Sequence, residues 1–217
     1  MRALKRRNLR AVSVGELLRS WSAGASKGLV GLTFDDGYRD FLHVALPILE
    51  RYGFSATVFM VVGMLGKEND WAHWYDPRPR LELLESAELR EISARGIEIG
   101  SHSMTHPKLP DLNAETLERE VGESRRLLSE LLGETVEGFC YPYGLLDKAS
   151  VEGVRRAGYS YACAVNSRVE NSVHDLSRIP ISDLDNRLRF AAKLSVHPYY
   201  RRVKRSYPRI LGRSEEV

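Results

Sequence analysis

Short apolar runs alternate with amphipathic, helix-like stretches along most of this 217-residue chain. A run of about four to eight apolar residues that stops at a turn signal is typical of a buried strand, and residues at helical spacing predict a helix after it. Repeated strand–helix units predict an α/β fold with parallel strands and outer helices, either an open doubly wound sheet or a closed barrel. We predict strands at 28–34, 56–62, 97–101, 136–141, 159–165 and 179–181.

The helices between these strands have their own start and stop signals. Ser86 and Asn113 are of the residue types that cap helix N-termini. Gly53 and Gly96 are predicted to end the helices before them. The sequence contains no internal repeat, low-complexity segment or linker, so we expect a single domain over residues 1–217.

Positive charge is concentrated at the two ends of the chain. Residues 1–10 contain five Arg or Lys and residues 187–213 contain nine, with no acid in either stretch, and we treat 187–217 as a basic C-terminal segment. Basic ends favour contact with an anionic membrane surface or with nucleic acid, although such a run is more often a solvated face. Nucleic-acid binding is disfavoured because the sequence has no helix-turn-helix, zinc-finger or ribonucleoprotein signature.

Hydropathy and cysteine content exclude further classes. The longest mainly apolar stretch, 56–66, is shorter than the about 18 residues of a membrane-spanning helix, and the N-terminus is too basic for a signal peptide. We therefore expect a cytoplasmic protein, with peripheral contact between its basic ends and an anionic membrane. Cys140 and Cys163 are expected to be reduced core thiols.

Unusual polar residues stand at or next to the ends of the predicted strands. The carboxyl ends of parallel strands meet on one face of such a fold, so residues far apart in sequence are expected to share one site there. These residues are Asp35, Asp36, His102, His106, Tyr143 and Arg178.

Two of them, His102 and His106, are four residues apart. A helical turn or a compact loop would direct both imidazoles to one point. The spacing alone is weak support for a metal, since such pairs are often surface residues. A carboxylate from a neighbouring strand end would complete the two-histidine, one-carboxylate set of a catalytic metal with open positions for water and substrate.

The adjacent carboxylates of Asp35 and Asp36 could have two different roles in catalysis. One can bind a cation while the other takes a proton from the water that the cation activates. The alternative is that this Asp-Asp-Gly turn only ends the strand and caps the next helix. The residues by themselves leave both interpretations open.

Three segments have a more specific pattern, TFDDG at 33–37, SHSMTH at 101–106 and FCYPYG at 139–144. In this order they resemble the first three motifs of the polysaccharide deacetylases, carbohydrate esterase family 4, also called the NodB-homology domain. The resemblance covers about residues 2 to 205. It implies a distorted (β/α) barrel and metal-dependent removal of acetyl groups from N-acetylated sugars.

The resemblance also implies a role for each matching residue. Asp35 would be the catalytic base. Asp36, His102 and His106 would ligate a divalent cation, usually zinc. The backbone N–H of Tyr143 would hold the oxyanion of the reaction.

The third motif departs from the family pattern at Cys140. By resemblance, Tyr141 and Pro142 would shape the groove for the sugar. Many members have an arginine at the position of Cys140, where it pairs with the catalytic aspartate. We expect Arg178 to take its place and assign it to substrate binding, with an ordinary salt-bridge arginine as the alternative.

A second departure concerns the general acid that protonates the amine leaving group. The family usually takes it from the histidine of a C-terminal Leu-x-x-His motif, and residues 194–197, ending in His197, have that outline. The surrounding basic residues instead resemble a permuted branch, in which this histidine lies on a strand upstream of Thr33. On that interpretation the chain begins after such a strand; otherwise another residue supplies the acid, or catalysis is impaired.

The leading hypothesis is therefore a metal-dependent hydrolase. Its substrate would be an N-acetylated sugar of a polysaccharide, a glycolipid or an exopolysaccharide precursor. The alternative is a catalytically impaired member that binds glycan without turnover, favoured by Cys140 and the unassigned acid. The complete set of predicted metal ligands favours the enzyme.

Overall fold

The computed structural model of the protein describes residues 1–71, 80–165, 169–170 and 172–195. The strands are β1 (Arg10–Val12), β2 (Leu29–Gly31), β3 (Thr33–Phe34), β4 (Thr57–Met60), β5 (Glu98–Ser101), β6 (Gly138–Cys140), β7 (Tyr161–Val165) and β8 (Leu176–Arg178). The helices are α1 (Arg2–Lys5), α2 (Val14–Ser22), α3 (Leu46–Tyr52), α4 (Ser86–Ala94), α5 (Ala114–Glu118), α6 (Ser124–Leu132), α7 (Lys148–Arg156) and α8 (Arg187–Ser195). Turns of π-helix lie at Phe41–Ala45 and Arg119–Glu123, and 3₁₀ turns lie at Val62–Met64, Leu109–Asp111 and Pro142–Gly144.

Six strands form one parallel sheet in the order β3-β4-β5-β6-β7-β8. Neighbours in this sheet are also consecutive along the chain, and the sheet curls into a half-barrel flanked by helices. This confirms the predicted α/β fold with a parallel sheet, and it is consistent with a distorted (β/α) barrel. No helix in the described ranges is long and apolar enough to cross a membrane.

The predicted strand at 28–34 is divided into two. Its first part, β2, pairs in parallel with β1 as a separate two-stranded sheet, and its second part, β3, is the first strand of the larger sheet. Leu32, between the two parts, accepts a hydrogen bond from the Thr57 N–H at 2.9 Å. The polar residues Asp35 and Asp36 follow β3 directly, as predicted.

The prediction of a last strand at 179–181 is wrong. The strand is β8, whose Arg178 is in register with Val165 of β7. Pro180 cannot donate to a sheet, and Ile179 and Ile181 are half exposed. The apolar residues of 179–181 indicated the wrong segment, because two of the three residues in the actual strand, Ser177 and Arg178, are polar.

The helix signals are confirmed with one correction. The Asn113 side chain accepts a hydrogen bond from the Thr116 N–H at 2.9 Å, and Gly53 ends α3 in a left-handed conformation. Ser86 is the first residue of α4 rather than its cap. The cap is Glu85, which forms a capping box with Glu88.

The turn after β3 requires glycine at position 37. Gly37 has a φ of +79°, and a β-carbon there would collide with the Met60 side chain of the neighbouring strand β4. Glycine adopts such a φ without steric cost, whereas other residues do not. The tight turn brings the preceding carboxylates to the carboxyl end of the sheet.

We predict that Gly37→Ala destabilises the protein more than Gly53→Ala does. Both positions have left-handed φ, but a β-carbon at Gly53 meets nothing within 4 Å. Gly53→Ala should cost about 1–2 kcal/mol from backbone strain, and Gly37→Ala a further 1–3 kcal/mol, roughly, from overpacking against Met60. Urea unfolding of the purified proteins measures both, and equal losses would contradict a role for the Met60 contact.

Candidate active site

Three potential metal ligands converge at the carboxyl end of the sheet. Asp36 Oδ1 lies 3.5 Å from His102 Nε2 and 3.4 Å from His106 Nε2. Two ligand atoms of a tetrahedral site with bonds of about 2.0–2.1 Å are roughly 3.3 Å apart, so these separations fit such a site. Two imidazoles and a carboxylate are also the donor types that zinc prefers.

The two histidines converge through a compact loop after β5 rather than through a helix. Ser103 and His106 have left-handed φ values of +68° and +62°. The Ser103 N–H donates to Ser101 Oγ at 3.2 Å, and the His106 N–H donates to Ser103 Oγ at 3.0 Å. These local bonds reverse the chain, so both rings face Asp36.

The protonation of the two imidazoles suits metal binding. His102 Nδ1 lies 2.7 Å from the carbonyl oxygen of Cys140. A carbonyl only accepts, so Nδ1 is the nitrogen that carries a proton, and in the neutral imidazole the lone pair is then on Nε2, which faces Asp36. Burial, reinforced by the nearby His102, lowers the pKa of His106 to about 2 and keeps that ring neutral.

Asp36 lies in surroundings that disfavour its charge. Burial, together with the negative charge of Asp35, raises the pKa of Asp36 above its usual value, although His102 opposes the shift. A divalent cation between the three side chains would stabilise the carboxylate form. The donor types, their spacing and this need for positive charge all fit a divalent metal.

Asp35, by contrast, has a cationic partner already. Arg178 donates to Asp35 Oδ1 at 2.6 Å and to Oδ2 at 2.7 Å, and its Nη1 also donates to Thr33 Oγ1 at 2.8 Å. Burial alone would raise the pKa of Asp35, but the hydrogen bonds and charge of Arg178 bring it below its usual value. The carboxylate is therefore held in its ionised form.

Arg178 therefore pairs with Asp35, as we expected of a substitute for the arginine that the resembling family has at the position of Cys140. Its Nη2 lies 2.9 Å from Cys140 Sγ, in the space that the small thiol leaves open. Both terminal nitrogens of Arg178 are engaged within the protein, and its side chain is only 15% exposed. This placement favours pairing with Asp35 over the direct sugar contact that we expected.

A second cluster, formed by Asp35, His102 and Cys140, also has metal-type ligand atoms close together. Burial raises the pKa of Cys140 well above its usual value, so the group stays a neutral thiol. The Arg178 guanidinium already neutralises Asp35 and would repel a cation. A cation would therefore be accommodated better by the cluster around Asp36 than by this second cluster. Cys140 and Cys163 are buried free thiols, as predicted.

The third motif is placed differently from our expectation. Tyr141 is fully buried, and its hydroxyl donates to the His174 carbonyl at 2.9 Å. Pro142 is buried as well. Neither side chain offers a surface to a sugar, because both are buried in the segment that follows β6.

Tyr143, in the same motif, does lie at the site. It has a left-handed φ of +58°, its side chain is 48% exposed, and its ring centroid is 4.5 Å from that of His106. A second aromatic neighbour of His106 is Trp71, with ring centroids 4.6 Å apart. Sequence reasoning gave no role to Trp71, because a tryptophan in a long loop carries no periodic signal.

Among the described residues, no histidine beyond His102 and His106 lies at the site to serve as the general acid. His197 lies outside the described residues, as does His73. Of the remaining histidines, His43 is exposed on the turn before α3, and His174 Nε2 bonds to the Tyr159 carbonyl oxygen at 2.8 Å. Neither of these two joins the cluster around Asp36.

Comparisons with known sequences agree with this arrangement. Residues 22–162 match the family model for polysaccharide deacetylase. The poly-beta-1,6-N-acetyl-D-glucosamine N-deacetylase of Staphylococcus aureus (strain MRSA252) is 26% identical over 169 residues, which are 72% of this chain and 56% of that protein. The Bacillus subtilis (strain 168) protein YxkH is 28% identical over 134 residues, 62% of this chain and 43% of that protein. The chain spans about half the length of these curated relatives.

Solved structures share the fold. The Streptococcus pyogenes deacetylase PplD, in complex with acetate, superposes with a TM-score of 0.74 at 23% identity, covering 88% of this chain and 82% of that one. The de-N-acetylase from Aggregatibacter actinomycetemcomitans superposes with a TM-score of 0.73 at 19% identity, covering 88% and 85%. Because the family model spans more than half of the sequence and includes the segments that carry Asp36 and both histidines, the chain belongs to the polysaccharide deacetylase family.

Proposed function

We propose that this protein is a metal-dependent N-deacetylase that hydrolyses the amide of N-acetylated sugars. The observation that carries the proposal is the convergence of Asp36, His102 and His106 beside a second carboxylate, Asp35, that is bound to Arg178. The substrate class is a polysaccharide, a glycolipid or an exopolysaccharide precursor. The name of the Staphylococcus aureus relative makes an oligomer of β-1,6-linked N-acetylglucosamine the first substrate to test.

We assign the metal site to Asp36, His102 and His106, with zinc as the cation. When bound, such a cation polarises the amide carbonyl and lowers the pKa of a water molecule. The three side chains would hold it at one point, and the bond from His102 Nδ1 to the Cys140 carbonyl fixes the ring that presents Nε2.

Asp35 is assigned as the general base. Its carboxylate stays ionised beside Arg178 and can accept the proton of the attacking water. Each carboxylate oxygen has a second lone pair, so the bidentate pair with Arg178 leaves acceptor capacity on Oδ2, whereas Oδ1 also accepts from the Cys140 thiol at 3.7 Å. Arg178 also fixes the direction of the carboxylate, which makes it a positioning residue in this assignment.

The backbone N–H of Tyr143 is assigned to the oxyanion that forms from the amide carbonyl. Tyr143 stands beside His106 in a left-handed conformation, which changes the direction of the backbone at this residue. Loss of one such donor costs roughly 2.7–4 kcal/mol of transition-state stabilisation in other hydrolases. The amine leaving group still needs a proton donor. His197 of the Leu-x-x-His outline lies outside the described residues, so it and the alternatives, a histidine on an upstream strand or another residue, stay predictions.

The expected cytoplasmic location and the peripheral contact with an anionic membrane stay predictions. Basic residues of both ends, Arg2, Arg6, Arg7 and Arg187, line one open depression together with Asp185. Guanidinium groups near a surface attract anionic lipid headgroups. Most of the basic segment 187–217 lies outside the described residues.

We predict that the purified protein binds one zinc ion per chain and that His106→Ala abolishes this binding. The substitution removes one of the three ligands, whereas His43→Ala, on an exposed turn, should leave the stoichiometry unchanged. Metal analysis after dialysis against trace zinc measures both variants. Stoichiometric zinc in His106→Ala would mean that the ligand set is wrong.

We predict that Asp35→Asn retains zinc but loses deacetylation. The amide has the same size as the carboxylate but cannot accept the proton, and loss of a general base lowers kcat by roughly 10² to 10⁴-fold. Acetate release from a β-1,6-linked N-acetylglucosamine oligomer measures the activity, with the exposed Asp40→Asn as the matched control. Metal loss in Asp35→Asn would show that the roles of the two adjacent carboxylates are exchanged.

We predict that Arg178→Ala lowers kcat on the order of 10²-fold, because a misdirected base loses its near-attack geometry. Arg178→Lys should recover only part of the rate, since an ammonium cannot reproduce the bidentate pair. Both variants should keep zinc. Arg126→Ala removes only an exposed ion pair with Glu130 and serves as the control. Wild-type turnover in Arg178→Ala would remove Arg178 from the mechanism.

A further inference from the structure

A buried acid on a neighbouring helix contacts the histidine loop. Glu120 lies in the π-helical turn Arg119–Glu123 and is only 3% exposed. The other acids nearby, Glu118 and Glu123, are exposed. A carboxylate in the core is costly unless hydrogen bonds compensate for its lost hydration.

All of the hydrogen bonds recorded for the Glu120 carboxylate come from the loop between His102 and His106. Glu120 Oε2 accepts from the Met104 N–H at 2.9 Å and from the Thr105 N–H at 3.0 Å. Glu120 Oε1 accepts from Thr105 Oγ1 at 2.7 Å. Charge-assisted bonds of this kind are about twice as strong as neutral ones.

Backbone N–H groups of the turn after β4 bind the carbonyl groups of the same loop. The Val62 N–H donates to the Ser103 carbonyl at 3.0 Å, and the Gly63 N–H donates to the Met104 carbonyl at 2.9 Å. The 3₁₀ turn after β4 therefore binds the loop carbonyls, while Glu120 binds the loop amides. The loop is fixed from two directions.

The conformation that these contacts maintain is an unfavourable one. Ser103 and His106 have left-handed φ values, which side chains other than glycine adopt at a cost. The same conformation directs His102 Nε2 and His106 Nε2 toward Asp36. Without the acceptors of Glu120, the amides of Met104 and Thr105 would need other partners, and the loop would relax.

We propose that Glu120 is a positioning residue for the metal site, which holds the histidine loop in its ligating conformation before the metal binds. The inference rests on the proposed function, because it presumes that His102 and His106 are ligands. Residues that orient metal ligands typically contribute 10-fold to 100-fold to affinity. Glu120 does this through the backbone of the loop rather than through an imidazole.

The test is the dissociation constant of zinc, measured by competition with a chromophoric chelator on the folded full chain. Glu120→Gln keeps the size of the side chain but replaces one acceptor oxygen with a donor amide. It should raise the dissociation constant by about 10-fold to 100-fold. Glu118→Gln removes the same charge from an exposed position of the adjoining helix α5 and should leave the constant unchanged.

A purely structural role predicts another result. Glu120→Gln would then lower the urea midpoint of the metal-free protein, while the folded protein would bind zinc as tightly as wild type. That outcome overturns the proposal. If Glu120→Gln does not fold, Thr105→Val decides, because it removes only one hydroxyl donor to Glu120 from an otherwise exposed residue. It should raise the constant by about 3-fold to 10-fold, and an unchanged constant overturns the proposal.

Failure of this inference is distinguishable from failure of the proposed function. If the wild-type protein binds no zinc, or if His106→Ala binds it equally well, then the assignment of the metal site itself is wrong. If wild type binds zinc through His106 and Glu120→Gln binds it with the same constant, then only the role of Glu120 is wrong.

Discussion

The ion pair between Arg178 and Asp35 joins the two edges of the curved sheet. Arg178 ends β8, the last strand, and Asp35 follows β3, the first strand. The same guanidinium donates to Thr33 within β3. Neighbouring strands are held by backbone ladders, but these two edge strands meet through side chains at the carboxyl end of the half-barrel. The position of the general base in our assignment is therefore coupled to the closure of the sheet.

Much of the fold could be predicted because the relevant signals are local. Buried strands such as β4 consist mainly of consecutive apolar residues. Asn113 caps the start of α5, and Gly53 ends α3, so each of these signals depends only on neighbouring residues. The strand β8 was missed because two of its three residues, Ser177 and Arg178, are polar, and Arg178 belongs to the site rather than to an apolar layer. A functional residue thus broke the pattern on which the prediction of this strand depended.

The candidate site could be predicted in its residue types but not in its conformation. In the described part of the chain, the residues other than glycine with positive φ are Asn8, Asp36, Ser103, His106 and Tyr143. Four of these five lie in the three motif segments. Such conformations persist only where the surroundings determine them, and here the determinants are distant: Glu120 and the turn after β4 for the histidine loop. Neither periodicity nor spacing identifies partners of that kind, so Glu120 appeared in the sequence only as one acid among several on a helix.

Arg178 can take the role of the arginine that is missing at position 140, because the Cys140 side chain is small and the Asp35 carboxylate attracts a cation. Many family members place an arginine at this position, whereas here a buried thiol on β6 leaves room for Arg178, two strands further along the sheet on β8, to reach Asp35. The proposed base keeps a guanidinium partner, but that partner is supplied by β8 instead of β6. The proposed metal ligands follow β3 and β5, and none of them lies on β8. In our assignment, the ligand set and the positioning of the base therefore depend on different parts of the sheet.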